Sequence, residues 1–297
     1  MRNSFRLILL ALLAALALGV AACGGDDNKN SSSSDSGSKD TQAKSIKAGV
    51  VTDIGGLNDR SFNFLANKGL EDAQSKLGID GRVLISKSNG DYVPNLSTLA
   101  QQQYDLVVAV GFLMQDATNT VATKFPNANF AIIDASFAGL KDKPKNAQGL
   151  LFKEQEAGYL AGYLAGLWAK DNNAKVISSV GGQDIPPVQH YIAGYQAGAQ
   201  KAYPGIKTLN GFSQDFVDQA KCKEIALDQI AQGSKVVFQV AGQCGLGALD
   251  AAKEKGVQGV GVDADQAYLG DHILTSAVKK VDVAVFDAIK RAQAGQF

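Results

Sequence analysis

The chain has 297 residues, of which 45% are hydrophobic and 20% are charged. This composition excludes an intrinsically disordered protein, and the length suffices for one large domain or two lobes of ordinary size. Because 29 basic residues balance 29 acidic ones, no basic surface is indicated, and we expect no nucleic-acid partner.

The N-terminus has the pattern of an export signal. Arg2 and Arg6 form a positively charged region before an apolar run over residues 7–20, and a stretch of small residues then ends at Cys23. The pattern resembles the lipobox of bacterial lipoproteins, which implies a signal peptide over residues 1–22 and a lipidated Cys23. We expect Cys23 to anchor the chain to the cell membrane on its extracytoplasmic face. The alternative is an ordinary secretory peptide with an incidental cysteine.

The next segment, residues 23–45, is predicted to be a flexible tether, because Ser, Asp, Gly and Lys dominate it without apolar periodicity. The folded body begins at residue 46, with strands and helices that alternate along the chain. This alternation favours right-handed βαβ units and a parallel sheet. In this first set the strands are predicted at residues 46–52, 81–85, 106–110 and 130–134, and the helices at residues 61–77 and 93–102.

The alternation starts again after residue 148. No linker rich in Pro or Ser separates the two sets, so we predict an α/β fold with two lobes, residues 46–150 and 151–277, and a ligand cleft between them. Residues 278–297 are predicted to form a return helix to the first lobe. In the second set the strands are predicted at residues 175–180, 208–212, 235–240, 257–262 and 273–276, and the helices at residues 155–170, 188–202, 218–231 and 247–255.

Residues 51–63 form a strand-turn-helix pattern that is typical of a binding site. Gly55 and Gly56 suit a turn, Asp53 ends the strand, and Phe62 falls on the first helical turn. In a parallel sheet, ligands bind at the carboxyl ends of the strands, so a carboxylate and an aromatic face are offered to one small molecule. The alternative is that Asp53 caps a turn and Phe62 belongs to the core.

Seven short motifs, which follow one another from residue 46 to the C-terminus, resemble those of the basic membrane protein family. Its members are lipoprotein substrate-binding components of ABC transporters, also called the purine nucleoside receptor A type. The motifs are VTDIGG at residues 51–56 with SFN at 61–63, GF at 111–112, FAIID at 130–134, FVD at 216–218, VAG at 240–242, VDADQ at 262–266, and TS at 275–276 with Lys279.

The resemblance implies a type I periplasmic binding protein, in which two Rossmann-like lobes with parallel sheets close on a ligand. It further implies a nucleoside ligand, with a purine nucleoside favoured, and an ABC permease as partner. No catalysis, cofactor or metal is expected. A receptor or extracellular sensor for a sugar or another small polar ligand is the alternative, and a secreted nucleoside-processing enzyme is a remote one.

A nucleoside needs aromatic faces for its base and polar groups for the base edge and the ribose hydroxyls. Phe62 from the first lobe and Phe216, or less favourably Phe212, from the second can sandwich the base. For the acidic residues the alternative is a helix cap or a surface ion pair. The resemblance implies that Asp134 binds the base edge. The full predicted ligand site comprises this residue, the stacking residues Phe62 and Phe216, Asn63 beside the first of them, Asp53 and Asp263 on the ribose, Gly242 where backbone approaches the sugar, and Lys279 as a donor or counter-charge.

The residues give little support to an enzyme. His190 and His272 lie in no metal-ligand spacing and beside no plausible nucleophile. The glycine-rich residues 242–247 follow a strand and open a helix, but Asp250 stands where a dinucleotide fingerprint needs its third glycine. The aromatic residues of the helical segments, Tyr159, Tyr163, Trp168, Tyr191 and Tyr195, are predicted to pack in the core.

Cys222 and Cys244 stand where members of this family more often carry a small residue such as Gly or Thr. In an α/β unit a helix runs antiparallel to the strand that follows it, so the start of the helix at residues 218–231 lies near the end of the strand at 235–240. This brings Cys222 towards Cys244, and export permits oxidation. We predict a disulfide between them; the alternative is two unpaired small hydrophobic residues.

Members of the family continue for several tens of residues beyond the position that corresponds to Phe297. We therefore expect a truncated copy of the family fold. In such a copy, sheet edges and core near Lys279 are expected to be exposed, and ligand binding to be weakened.

Overall fold

The computed structural model describes residues 45–297, which contain two separate parallel sheets of five strands. Across the first sheet, from one edge to the other, lie the second, first, third, fourth and fifth strands of that set. The second sheet has the same arrangement of its own five strands. Two successive sets of βαβ connections produce this repeat. The strands are β1 (Lys47–Val51), β2 (Asp80–Leu84), β3 (Leu106–Ala109), β4 (Asn129–Ile133) and β5 (Ala147–Leu150), then β6 (Val176–Gly181), β7 (Lys207–Phe212), β8 (Ser234–Val240), β9 (Gln258–Asp263) and β10 (Ile273–Val278).

Helices cover both faces of each sheet, because successive strand residues point to opposite faces. Val50 packs into one apolar cluster and Val51 into another on the far side of the same sheet. The second sheet is likewise enclosed between two clusters. The helices are α1 (Phe62–Leu77), α2 (Tyr92–Gln101), α3 (Gln115–Lys124), α4 (Glu154–Asp171), α5 (Pro186–Ala202), α6 (Gln219–Ala231), α7 (Gly242–Glu254) and α8 (Val281–Gln293).

The α/β class and the two parallel sheets were predicted from the sequence and are confirmed. Two elements were missed. The helix α3 is rich in threonine, and β5 has only four residues, of which two are polar or glycine. Neither therefore shows a strong apolar period. The helix α7 also begins five residues earlier than predicted, at Gly242, because the glycines of this segment are themselves helical.

The helices α4 and α5 pack through their small residues. A Cβ atom added to Gly162 would lie 1.9 Å from the carbonyl oxygen of Tyr195, and one added to Gly198 would lie 2.0 Å from that of Tyr159. The two backbones therefore approach closely, and the larger side chains of α4 face outward. Leu160 is 71% exposed.

This packing corrects part of the sequence interpretation of the aromatic residues. Tyr163 was predicted to pack in the core, but it is 39% exposed. Tyr191 and Tyr195 are buried as predicted. The helical period of α4 was predicted correctly, but the face that is buried was not. The close contact between the two backbones leaves room for Gly and Ala inside, and the Leu side chains lie outside.

The last helix, α8, follows the second sheet and packs against α1 in the core of the first. Its Val285 and Ile289 are fully buried there. The exposure expected near Lys279 is found only in part: the Lys279 side chain is 3% exposed, whereas Val278, at the end of the edge strand β10, is 41% exposed. Among the described helices, none has the length and apolar content that a membrane span requires. The predicted signal peptide, the lipidation site Cys23 and almost all of the tether lie in residues 1–44, outside the described range.

Candidate functional site

A cavity of about 610 Å³, including its open mouth, lies where the carboxyl ends of strands from both sheets face each other. This is the position at which parallel α/β sheets bind ligands. The structure brings together in its wall all eight residues that the sequence assigned to a ligand site: Asp53, Phe62, Asn63, Asp134, Phe216, Gly242, Asp263 and Lys279.

Asp53 follows β1 and is 7% exposed. Its carboxylate accepts a hydrogen bond from the hydroxyl of Tyr92 and another, of 2.7 Å, from the Ile54 N–H. Burial raises the pKa of Asp53 from its ordinary value of 3.8 to about 6, although both hydrogen bonds oppose the change. The carboxyl group is thus held in place by neighbours and is costly to ionise.

The start of α1 is organised by Asp59, which is 2% exposed. Its carboxylate accepts from the N–H groups of Ser61, Asn63 and Phe64, at 3.1, 2.6 and 3.0 Å. These are donors that a helix start leaves unsatisfied. The side-chain oxygen of Asn63 in turn accepts from the Asp53 N–H at 2.8 Å. The turn therefore couples the position of Asn63 to that of Asp53.

Two phenyl rings from different lobes line the cavity. The ring of Phe62 lies close to Gly111, where an added Cβ would be 3.3 Å from the ring and 2.9 Å from Oδ2 of Asp53. The ring of Phe216 lies over Gly182, where an added Cβ would be 2.3 Å from it. Each ring is thus seated on a glycine. Phe212, the less favoured stacking candidate, packs instead against Gly181 in the core of the second lobe.

Lys279 follows β10 and is buried between acidic residues of both lobes. Its Nζ lies 2.6 Å from Oδ1 of Asp134 and 2.9 Å from Oε1 of Glu154. Its ammonium group also lies over aromatic faces, 5.2 Å from the ring centre of Phe62 and 4.9 Å from that of Phe152. This is the range of cation–π contacts.

The ionisation of Lys279 and of the acidic residues around it depends on the attraction between their opposite charges. Burial would lower the pKa of Lys279, but Asp134, Asp263 and Glu154 outweigh it and raise the pKa above its ordinary value. Burial raises the pKa of Asp134, against the opposing effect of Lys279. The ammonium ion stays charged, since removing it would leave several buried carboxylates without a counter-charge.

Asp263 ends β9 and is 7% exposed. It accepts a hydrogen bond of 3.1 Å from the hydroxyl of Tyr191. Burial raises the pKa of Asp263 to about 7; Lys279 opposes this change and Asp134 adds to it. Asp263 is therefore poised between its two protonation states near neutral pH.

Asp134 and Asp263 occupy equivalent positions, each at the end of the fourth strand of its sheet. Both adopt left-handed backbone conformations, with φ of 68° and 61°. Aspartate tolerates this region better than most residues, and such strain concentrates at functional sites. The pairing of the two sites across the cavity was not foreseen from the sequence.

Several residues of the site were missed or assigned another role. Glu154 lies at the first position of α4, where the sequence alone indicates only an acidic residue that stabilises the start of a helix. Tyr191 was predicted to pack in the core, and Tyr92 was given no role. The Tyr92 hydroxyl donates to Asp53 and the Tyr191 hydroxyl to Asp263, and Tyr191 also lines the cavity. Only the proximity of distant strand ends reveals these roles.

The structure joins Cys222 and Cys244 in a disulfide, with a Cα separation of 5.5 Å. The separation lies in the usual range for such bonds. The described residues contain no group of three or more His, Cys, Asp or Glu side chains that could hold a metal ion.

Comparison with known proteins identifies the family. The profile of the Bmp family, described as PnrA-like ABC transporter substrate-binding proteins, matches residues 46–297. The chain belongs to this family. The family consists of substrate-binding proteins of ABC transporters and not of enzymes, and the resemblance stated from the seven motifs is confirmed.

Individual relatives are similar in sequence to most of this chain. An uncharacterized lipoprotein of Pyrococcus abyssi is 38% identical over 84% of this chain, which spans 64% of that relative's length. An ABC transporter nucleoside-binding protein, BmpA, of Lactococcus lactis is 35% identical over 85% of this chain and 76% of its own. The solved structure of an ABC transporter solute-binding protein from Aeropyrum pernix K1 superposes with a TM-score of 0.79 at 31% identity, covering 85% of this chain and 72% of that one.

Proposed function

We propose that this chain is a lipid-anchored receptor that captures a nucleoside, with a purine nucleoside favoured, and delivers it to an ABC permease. One observation carries the proposal: two phenyl rings from opposite lobes line the same cavity as four aspartates, Asp53, Asp59, Asp134 and Asp263. The name of the Lactococcus lactis relative, a nucleoside-binding protein, supports the same ligand class.

Base recognition falls to Phe62 and Phe216. A flat base between the two rings gains stacking energy that neither lobe supplies alone, so that ligand binding favours the closed arrangement. Stacking tolerates any base, because every base has a π-face. Discrimination among bases then depends on the polar groups that meet the base edge, and we assign that role to Asp134.

The ribose hydroxyls are assigned to Asp53 and Asp263. An ionised carboxylate accepts hydrogen bonds from two hydroxyls, and a protonated one can donate as well. Since the pKa of Asp263 is about 7, this residue can serve in either form at neutral pH. Gly242 lies in the wall with a φ of 56° and offers backbone without a side chain.

Glu154 keeps Lys279 compensated while Asp134 engages the ligand. Lys279 contacts both carboxylates in the structure, and of these two acids only Asp134 is among the residues that line the cavity. When Asp134 turns to the base edge, Glu154 still neutralises the buried ammonium group. The cost of leaving a buried charge unpaired is thereby avoided.

Membrane attachment and the transport partner complete the proposal. Relatives from Pyrococcus are named lipoproteins, in agreement with the lipobox that ends at Cys23. We assign Cys23 as the lipid-bearing residue and place the binding lobes on the extracytoplasmic face, where an ABC permease receives the ligand.

Isothermal titration calorimetry with guanosine, adenosine, uridine and ribose tests the ligand class. We expect heat from at least one nucleoside, with guanosine or adenosine the tightest, and little from ribose. Tight binding of ribose without binding of any nucleoside would overturn the stacking assignment. A mass shift on metabolic labelling with palmitate, lost in Cys23→Ala, tests the anchor separately.

A further inference from the structure

We propose that the Cys222–Cys244 disulfide is a positioning element for Phe216 and thereby sets how tightly the cavity holds its ligand. The proposal rests on the proposed function, because it takes Phe216 as one face of the base site. It assigns the disulfide a role in affinity, beyond any contribution to the stability of the fold.

The disulfide ties the start of α6, which follows the cavity residue Phe216, to the start of α7, whose Gly242 and Gln243 line the cavity. Cys222 lies in the first turn of α6 and Cys244 in the first turn of α7. Both side chains are fully buried. Beside the disulfide the two helices are in close contact, since a Cβ added to Gly247 would lie 2.0 Å from the carbonyl oxygen of Gln219. The start of α6 thus has a fixed position relative to the start of α7.

Phe216 lies in the loop that enters α6 and is joined to α7 through Cys244. The backbone N–H of Cys244 donates to the carbonyl oxygen of Phe216 at 3.0 Å. The residues just before Cys244, Gly242 and Gln243, line the cavity. A closed ring therefore runs from Phe216 along the chain to Cys222, across the disulfide to Cys244, and back through this hydrogen bond.

The loop also has local order of its own. Oδ1 of Asp215 accepts from the N–H groups of Val217 and Asp218 at 2.8 and 3.0 Å, and its other oxygen pairs with Lys221 at 2.8 Å. These contacts lie within the loop and the first turn of α6, so they fix the shape of the turn. They do not reach α7, which is joined to the turn and to α6 by the disulfide, by the hydrogen bond from Cys244 to Phe216 and by the contact of Gly247 with Gln219.

The ring of Phe216 needs the distance from the turn to α7 to be maintained. Its seat is Gly182, whose missing Cβ would lie 2.3 Å from the ring, while the Phe216 carbonyl is held on α7. If α6 and α7 separate at their starts, the ring must be ordered again each time a ligand binds. That ordering reduces affinity by an amount comparable to fixing one residue of backbone, which is about tenfold.

A double-mutant cycle tests the proposal. The affinities of the full-length oxidised chain and of Cys222→Ala/Cys244→Ala for guanosine, adenosine and uridine are measured by calorimetry well below the unfolding midpoint. The same pair of measurements is repeated with Phe216→Ala and with Phe62→Ala. We expect the cysteine change to weaken binding about tenfold in the parent and in Phe62→Ala, and by less than twofold in Phe216→Ala.

Leu249→Ala is the matched control for stability, because Leu249 is buried in α7 and does not line the cavity. It should lower the unfolding midpoint without changing affinity. If it weakens binding as much as the cysteine change does, or if the cysteine change acts equally in the two Phe backgrounds, the positioning role is wrong. Should the parent bind none of the three nucleosides, it is the proposed function that fails, since every arm of the cycle depends on it.

Discussion

Lys279 shows at the scale of a single residue how this site is balanced. Among the described residues that line the cavity it is the only cation, and it faces the carboxylates of Asp134 and Asp263 there and of Glu154 behind them. A buried ion pair of this kind is stabilised only when each partner stays compensated. Lys279 thus links Asp134 in the cavity wall to Glu154 at the start of α4.

Replacing Phe62 by alanine should weaken nucleoside binding by about 1–3 kcal/mol, since stacking of one base face on an aromatic ring contributes about that much. Phe64→Ala is the control: Phe64 lies on the same helix, is 44% exposed and does not line the cavity. Calorimetry should show unchanged affinity for the control. Equal losses in both variants would point to damage to α1 and not to lost stacking.

Asp263 should make the fold less stable as the pH rises towards neutrality. Its pKa is raised from 3.8 to about 7 by folding, so the folded state keeps a proton that the unfolded state has already released. The stabilisation from this group is complete below pH 3.8 and is lost as the pH rises through about 7. Each pKa unit corresponds to about 1.4 kcal/mol, so the total is on the order of a few kcal/mol.

Urea unfolding at pH 5 and pH 8 measures this effect. The parent should lose more stability between these values than Asp263→Asn, which carries no titrating group at that position. Asp265→Asn, two residues away and exposed, should behave like the parent. A parent and an Asp263→Asn variant with the same pH dependence would contradict the assignment.

At the scale of a structural element, α4 packs against α5 through a face that carries glycines instead of large side chains. Gly158, Gly162 and Gly166 recur every four residues along α4 and meet the backbone of α5. The close approach increases the van der Waals contact between the two helices. It also places Glu154, at the start of α4, within reach of Lys279.

Gly162→Ala should destabilise the fold by about 1–3 kcal/mol, because the added methyl group would lie 1.9 Å from the carbonyl oxygen of Tyr195 and force the helices apart. The gain in helix propensity from Gly to Ala, roughly 1 kcal/mol, offsets only part of this cost. Leu160→Ala in the same helix, at a site that is 71% exposed, should change stability by no more than about 0.5 kcal/mol. Thermal unfolding distinguishes the two, and a stabilised Gly162→Ala would show that the helices can separate at little cost.

At the scale of the whole molecule, the cavity concentrates negative charge in a chain whose formal net charge is zero. Its described lining holds Asp53, Asp59, Asp134 and Asp263 against Lys279. A neutral ligand avoids repulsion from these groups, whereas a phosphorylated one adds like charge in a poorly solvated space.

Guanosine 5′-monophosphate should therefore bind at least about tenfold more weakly than guanosine, since its phosphate carries a charge of about −1.5 to −2 at pH 7. Competition calorimetry against guanosine measures the ratio. 5′-Deoxyguanosine, which lacks the phosphate and the hydroxyl, shows whether the 5′ hydroxyl itself is required. Nucleotide affinity equal to that of the nucleoside would mean that the lining acids do not control selectivity.

The alternation of strands and helices could be predicted from the amino-acid pattern, because runs of Val, Ile and Ala that are buried on both sides favour parallel strands. The sequence pattern also placed Asp53, Asp134 and Asp263 at strand ends, where parallel sheets bind ligands, and Phe62 at the start of the following helix. These are local signals, and each can be read within one strand-turn-helix unit.

The side chains that support that edge could not be predicted, because they meet it only in the folded chain. Glu154 meets Lys279, Tyr191 meets Asp263, and Tyr92 meets Asp53 across long separations in the chain. The buried face of α4 likewise depends on how closely α5 approaches, which no periodicity within α4 reveals. The physical reason is the same in each case: these contacts form between groups whose distance is set by the packing of whole layers and not by the sequence around them.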